Sequence, residues 1–233
     1  MASIKQILIV LGVSALLILA IGWWFQKNNQ PAELLLDTDT KLEGPISPEE
    51  LKTSNPAITN TMNRIAIMKT NLGTIELELF EDIMPITTGN FIKLAEEKFY
   101  DGIKFHRVID GFMIQAGDPN TKGDNVMAYG TGGPGYTIQD EFVEGENLSN
   151  VRGTISMANT GQPNSGGSQF FINTKDNTGL DFNKEPFSSK HPVFGRVIKG
   201  MDVIDAISAT ETGARDLPVE PVVIESISIT QAQ

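Results

Sequence analysis

The longest run of hydrophobic positions in the chain covers residues 7–25 and contains no charged side chain. As a helix this run would be about 28 Å long, close to the thickness of the hydrocarbon core of a bilayer. Trp23 and Trp24 lie near its end, where aromatic side chains favour the membrane interface. The pattern predicts a single transmembrane helix within an N-terminal signal-anchor segment, residues 1–25. A signal peptide cleaved at residues 20–22 is the alternative that the small residues there leave open.

Residues 26–60 have no sustained hydrophobic period. They contain four prolines and carry three lysines against six acidic side chains, a net charge of −3. This composition is typical of an acidic, Pro-containing linker, and we expect it to hold the rest of the chain away from the membrane. The globular domain is therefore predicted over residues 61–233.

A two-residue alternation of apolar and polar positions begins after the linker. Residues 64–80 alternate on both sides of a turn signal at 71–73, which predicts a β-hairpin with one solvent-facing side. Helical spacing predicts helices at residues 85–98 and 201–208. The other apolar runs are short and separated by Gly-rich turns, and the last of them, residues 221–230, is predicted as the closing strand. Many short strands with two helices indicate a mainly β fold, a closed antiparallel barrel rather than a parallel α/β sheet.

Composition excludes several classes of function. The net charge of −11 is opposite to what the phosphates of a nucleic acid require, so no nucleic-acid partner is predicted. The chain has no cysteine and only two histidines, which excludes disulfides, thiolate catalysis and a histidine-rich metal centre. The glycine-rich residues 129–137 lack the Gly-Lys-Ser/Thr of a phosphate-binding loop. These patterns therefore indicate neither a cofactor nor a metal.

Four segments in consistent order carry a resemblance to a known family. They are FHRVIDGFMIQAGD (105–118), GTGGPGYTIQDEF (130–142), GTISMANTGQPNSGGSQFFI (153–172) and HPVFGRVIKGMDVIDAI (191–207). Together they resemble the cyclophilin family of peptidyl-prolyl isomerases, over about residues 62–231. The resemblance implies a closed eight-stranded antiparallel barrel capped by two helices. A barrel of that size is filled by its own side chains, so the active site is expected on its outer face.

The resemblance assigns roles to ten positions. Arg107 matches the family's catalytic arginine, and Phe112 and Gln115 match residues of the same catalytic segment. The positions that match substrate-binding residues are Met113, Ala158, Asn159, Gln169, Phe171, Leu180 and His191. Taken singly, the aromatic residues could belong to the core, and Arg107 could form a structural salt bridge. Their joint occurrence favours the functional interpretation, and His106 is left out of it.

The resemblance implies an enzyme that needs no cofactor or metal. Rotation about an X-Pro bond has a barrier of about 18–20 kcal/mol because amide resonance must be broken. A guanidinium at Arg107 could stabilise the twisted amide by donating to the nitrogen lone pair. The predicted activity is X-Pro isomerisation in unfolded or partly folded proteins, which would assist their folding. A non-catalytic proline-peptide binding or scaffold module is the alternative, and loss of Arg107, Phe112 or Gln115 would have favoured it.

One loop departs from the family pattern. Gly179 stands where many members carry a large aromatic residue, often tryptophan, and the loop that follows to His191 is longer by several residues. Phe182 or Phe187 could fill that space. Because the aromatic residue contributes to cyclosporin binding in the family, the resemblance implies weakened cyclosporin binding with isomerase activity retained.

The charges that flank the apolar N-terminal run favour one orientation. Lys5 and the terminal amine precede the run, and Lys27 follows it. This small bias favours the N-terminus inside and the domain outside. The predicted location is therefore membrane-anchored through a single helix with an extracytoplasmic isomerase domain, and secretion after signal-peptide cleavage is the alternative.

Overall fold

The computed structural model describes residues 63–145, 147–185 and 189–231. The predicted membrane anchor, residues 1–25, and the predicted linker, residues 26–60, lie outside these ranges. Within them, no helix is both long and apolar enough to span a bilayer. The strands are β1 (Ile65–Thr70), β2 (Gly73–Leu79), β3 (Arg107–Ile109), β4 (Met113–Ala116), β5 (Thr154–Met157), β6 (Phe170–Asn173), β7 (Val193–Lys199) and β8 (Ile224–Thr230), and the helices are α1 (Pro85–Glu96) and α2 (Met201–Ser208).

All eight strands belong to one antiparallel sheet with the order β3-β4-β6-β5-β7-β2-β1-β8. The predicted mainly β fold with two helices is confirmed, but the predicted closed barrel is wrong. Strands β3 and β8 are the two edges, and no ladder joins them in the described part of the chain. The sheet is therefore an open half-barrel.

The two edges approach each other over a short stretch just before β3. A single antiparallel bridge, Lys104 to Val223, links the segments that precede β3 and β8. On either side of it, the N–H of Phe105 donates to the carbonyl of Val222 at 2.9 Å and the N–H of Ile224 donates to the carbonyl of Ile103 at 2.8 Å. The N–H of His106 donates to the carbonyl of Gln115 at 3.1 Å instead, and this contact ends before β3 begins.

The hydrophobic alternation of the first hairpin is confirmed. Ile75, Leu77 and Leu79 on β2 are all buried, and β1 pairs with β2 around the predicted turn. The second predicted helix coincides with α2. The first ends at Glu96 instead of residue 98, because Lys98 takes a φ of 58°, outside the right-handed helical region.

An aromatic cluster joins α1 to the sheet. The ring centroid of Phe91 on α1 lies 5.1 Å from that of Tyr100, 5.5 Å from that of Phe170 and 5.4 Å from that of Phe194. All four side chains are buried in the main core, and centroid distances in this range add to the stability that burial provides. Core side chains thus occupy the inner face of the sheet, which leaves the outer face for a substrate.

The start of α1 is capped by a residue far away in sequence. Met84, at the N-cap position, makes no side-chain hydrogen bond to the helix. Instead, the buried carboxylate of Glu141 accepts hydrogen bonds from the backbone N–H of Ile86 at 3.1 Å and of Thr87 at 2.9 Å. A carboxylate at this end of a helix satisfies free N–H groups and interacts favourably with the helix dipole.

We expect Glu141→Ala to lower the free energy of unfolding by about 1–2 kcal/mol, because two helix N–H groups lose their acceptor. Chemical denaturation of the variant and the parent protein measures the difference. Glu144→Ala is the matched control, since Glu144 lies in the same loop with an exposed side chain. Equal losses in the two variants would show that the remote cap does not stabilise the helix.

Candidate active site

Strand alternation directs one row of residues to the outer face of the sheet. On β3, β4 and β6 the core-facing positions include Val108, Ile114 and Phe170. The intervening positions therefore point to the opposite face. Arg107 is paired with Gln115, and Gln115 is paired with Phe171, so these three residues lie side by side across three strands.

This row borders a cavity of about 1080 Å³. Nine of the ten residues predicted from the sequence line it: Arg107, Phe112, Met113, Gln115, Ala158, Asn159, Phe171, Leu180 and His191. The tenth, Gln169, is not in the lining but accepts a hydrogen bond from Gln115 at 3.0 Å. Met113 and Phe171 are buried yet lie outside the main core cluster, so their apolar surfaces line the cavity.

One nitrogen of the Arg107 guanidinium, Nε, is held by an ion pair. Its Nε donates to Oδ2 of Asp216 at 3.3 Å, and both side chains are about half exposed. Such an exposed ion pair contributes little stability, typically about 0–1 kcal/mol. The bond uses Nε, and the two terminal amino groups make no hydrogen bond to any residue that the structure describes. They are therefore free to donate to a bound ligand.

Gln115 is fixed by a chain of amide hydrogen bonds. Its Nε2 donates to Oε1 of Gln169, and Gln169 in turn donates to the carbonyls of Gly132 at 2.8 Å and Gly130 at 3.1 Å. Among the described residues, the side chain of Gln115 therefore bonds Gln169 and makes no hydrogen bond to Arg107. The residue that bonds Arg107 is Asp216, which sequence reasoning missed because it lies 109 positions away.

His191 forms part of the apolar wall. Its ring meets that of Phe171 edge to face, with centroids 5.3 Å apart. Nδ1 lies 3.1 Å from the carbonyl of Met157, so this nitrogen carries the proton and donates. Burial lowers the pKa of His191, and the bond to Met157 only partly opposes this effect. A neutral ring suits a pocket for an apolar ligand.

A buried polar network supports this wall from behind. Nδ2 of Asn150 donates to Oδ1 of Asp181 at 2.8 Å and to the carbonyl of His191 at 3.0 Å. Oδ1 of Asn150 accepts from the hydroxyl of Ser156 at 2.7 Å. Asn177 donates to the carbonyl of Phe112 at 2.8 Å. Sequence reasoning missed these residues, and the only signal for them was the presence of polar residues among buried strands.

The corner next to Gly179 has no aromatic residue in the described part of the lining. Phe182 stacks on Phe142 instead, with ring centroids 5.3 Å apart and planes at 26°, and it does not line the cavity. Phe187 lies outside the described residues. Leu180, the neighbour of Gly179 in sequence, lines the cavity, and its carbonyl accepts a hydrogen bond from the N–H of His191 at 3.1 Å.

His106 also lines the cavity, although it was left out of the predicted site. Burial lowers its pKa to about 4; the nearby Asp118 opposes the shift, whereas Arg107 and Arg215 add to it. His106 is therefore neutral at pH 7 and cannot serve there as a proton donor of ordinary strength. Within the described ranges, no cluster of acidic or histidine side chains could hold a metal ion.

The lowered pKa of His106 predicts a pH-dependent stability. The unfolded state takes up a proton near pH 6.5, whereas the folded state does so only near pH 4. The stability that the neutral His106 contributes is thus present in full well above pH 6.5 and is lost as the pH drops towards 4. Between pH 7 and 4.5 we expect the parent protein to lose about 2 kcal/mol more than His106→Gln, measured by denaturant unfolding. Parallel losses in the two proteins would contradict the assignment.

Comparisons with known proteins agree with this geometry. Residues 65–229 match the family model described as cyclophilin type peptidyl-prolyl cis-trans isomerase/CLD. A peptidyl-prolyl cis-trans isomerase of Acinetobacter baylyi is 43% identical over 177 residues, which cover 74% of this chain and 87% of that protein. A probable peptidyl-prolyl cis-trans isomerase A of Mycobacterium leprae is 40% identical over 192 residues, covering 74% and 97%.

A solved structure shares the fold. The crystal structure of a cyclophilin type peptidyl-prolyl cis-trans isomerase of Cryptosporidium parvum, determined in the presence of the dipeptide Ala-Pro, matches with a TM-score of 0.61 and 29% identity. The match covers 72% of this chain and 99% of that chain. The chain therefore belongs to the cyclophilin family and is a cyclophilin-type peptidyl-prolyl cis-trans isomerase.

Proposed function

We propose that this isomerase acts on X-Pro bonds in unfolded or partly folded client proteins outside the cytoplasm, and so assists their folding. The observation that supports action on a peptide is an open cavity of about 1080 Å³ with the half-exposed Arg107 beside an apolar pocket. A cavity of this size holds more than a single residue. The relative crystallised in the presence of Ala-Pro supports proline-containing peptides as ligands.

Arg107 would supply the catalytic interaction. Twisting the X-Pro bond localises a lone pair on the proline nitrogen, which the planar amide lacks. A donor aimed at that nitrogen binds the transition state more strongly than either planar isomer and so lowers the barrier. The terminal amino groups of Arg107, to which no described residue bonds, are suited to this role, since arginine is always charged and its fork is planar.

The remaining residues would grip the peptide while one side of the bond rotates. Phe112, Met113 and Phe171, with Leu180 and His191, would hold the proline ring. The side chain of Asn159 donates to the carbonyl of Lys190 at 2.7 Å and accepts from the N–H of Gly161 at 3.0 Å. Because that side chain is already engaged, the backbone of Asn159 is the part that would bind the peptide.

A refolding assay tests the proposed role. A client whose slow refolding phase is limited by proline isomerisation should refold faster with the full-length chain, in proportion to its concentration, but not with Arg107→Ala. A non-catalytic proline-peptide module would bind the client without accelerating this phase. Failure to accelerate refolding of a client with accessible X-Pro bonds would contradict the folding role.

We also propose that the domain is tethered outside the cytoplasm by residues 7–25. The support is the uncharged apolar length of this segment and the positive charge before it. Protease added outside intact cells or spheroplasts should degrade the domain of the membrane-bound chain. A domain protected until the membrane is opened would contradict the location, and a soluble mature chain that begins near residue 23 would favour signal-peptide cleavage.

The glycine at position 179 leads to a prediction about cyclosporin. We expect weak binding by the parent protein, and at least about tenfold tighter binding by Gly179→Trp, because the aromatic wall would be restored. A Cβ atom at this position meets nothing closer than the carbonyl of Glu185 at 3.9 Å, so a side chain can begin here without a clash. Titration calorimetry measures both affinities, and nanomolar binding by the parent protein would contradict the prediction.

A further inference from the structure

A second apolar surface continues from the catalytic cavity. Val126, Met127 and Val219 expose 45%, 74% and 55% of their surface, and all three line the same cavity as Arg107. Single exposed hydrophobic residues are common on proteins, but several of them in one concavity mark a binding surface. Leu217 also lines the cavity. We call Val126, Met127, Leu217 and Val219 the apolar ledge.

Arg215 joins the two loops that carry the ledge. Its Nη1 donates to the carbonyl of Val126 at 2.7 Å, and its Nη2 donates to the carbonyl of Tyr129 at 2.9 Å. The second loop is closed on itself, since the N–H of Val219 donates to the carbonyl of Glu211 at 2.9 Å. These bonds hold the ledge in place before a ligand arrives, which reduces the entropy lost on binding.

The charged groups beside the ledge are already engaged. Both terminal nitrogens of Arg215 bond to backbone carbonyls, and Asp216 accepts from Arg107. Among the described residues that line the cavity, Arg107, Arg215 and Asp216 are the only arginine, lysine, aspartate or glutamate residues. The ledge therefore offers a ligand apolar contact rather than an ion pair.

We propose that the apolar ledge is a specificity subsite that binds an apolar side chain of the substrate peptide close to its proline. The proposal rests on the function of Arg107 proposed above. Asp216 contacts Arg107 and directly precedes Leu217 in the chain. Leu217 and Val219 therefore follow closely on the residue that bonds Arg107, the group proposed to act on the X-Pro bond. An extended peptide advances about 3.3–3.6 Å per residue. The side chain on the ledge therefore belongs to a residue about one to three positions from the proline.

Two peptides of equal length test the subsite. One carries leucine at positions two and three before the proline of an Ala-Pro pair and at positions one to three after it, and the other carries glycine at the same positions. NMR exchange spectroscopy gives kcat/KM for both peptides with the full-length chain, with Met127→Asp and with Val219→Asp. We expect the parent protein to prefer the leucine peptide. In each variant the ratio of kcat/KM for the leucine peptide to kcat/KM for the glycine peptide should be about fivefold smaller, since the ledge is only partly enclosed.

Leu72→Asp is the matched control. Leu72 is 43% exposed in the hairpin turn and does not line the cavity, so this variant should keep the preference of the parent protein. If Met127→Asp and Val219→Asp keep it as well, the ledge does not bind substrate and the proposal is wrong. Catalysis of both peptides without any preference in the parent protein rejects the subsite alone. Absence of catalysis on both peptides contradicts the function of Arg107 and the subsite together.

Discussion

Arg107→Ala is expected to lower kcat/KM for an X-Pro peptide by about 10²–10³-fold, as removal of one preorganised donor does in other active sites. The free energy of unfolding should change by less than about 1 kcal/mol, because the side chain is half exposed and its ion pair with Asp216 is weak. A protease-coupled or NMR exchange assay measures the rate, and denaturant unfolding measures the stability.

Two further arginine variants make this result specific. Arg196→Ala removes an arginine of similar exposure that pairs with Glu78 on the sheet, away from the cavity lining, and should leave kcat/KM unchanged. Arg107→Lys keeps the positive charge but lacks the planar fork, so most of the loss should remain. Activity of Arg107→Ala within a few-fold of the parent protein would contradict the assigned mechanism.

Asn150→Ala is expected to destabilise the domain by about 3 kcal/mol and to raise KM. The buried amide donates to Asp181 and to the carbonyl of His191, and accepts from Ser156. Without it, the buried polar groups that remain pay the full desolvation penalty, about 1–3 kcal/mol each and more for a carboxylate. The cavity wall at His191 also loses its support, so we expect binding to weaken more than kcat falls.

Denaturant unfolding and steady-state kinetics check both parts of this prediction. Asn147→Ala is the control, because Asn147 lies three positions away on the exposed surface. If the two variants unfold at the same denaturant concentration, the network does not stabilise the domain. A pure decrease in kcat with an unchanged KM would show that Asn150 does not support the binding wall.

Much of the candidate site could be predicted because it lies in short continuous segments. Residues 105–118 contain Arg107 and Gln115 on two adjacent strands, and a tight hairpin necessarily brings them together. The period of two then separates core-facing Ile114 from Met113 and Gln115, so local sequence decides which side chains reach the outer face.

The interactions that support these residues could not be predicted in the same way. Asp216 bonds Arg107 across 109 positions, and Glu141 caps α1 across more than 50. Neither residue differs in type or local pattern from the other acidic residues of the chain. Only the packing of distant loops against the sheet selects them as partners.

The sequence by itself determined the mainly β class, the two helices and nine of the residues that line the cavity, because hydrophobic period and local motifs act over a few positions. The tertiary structure decided the open edge between β3 and β8, the partner of Arg107, the network around Asn150 and the apolar ledge. Each depends on which groups of distant segments meet after folding, at about 3 Å in the case of a hydrogen bond. These contacts depend on the relative positions of segments that are distant in sequence, which no local pattern encodes.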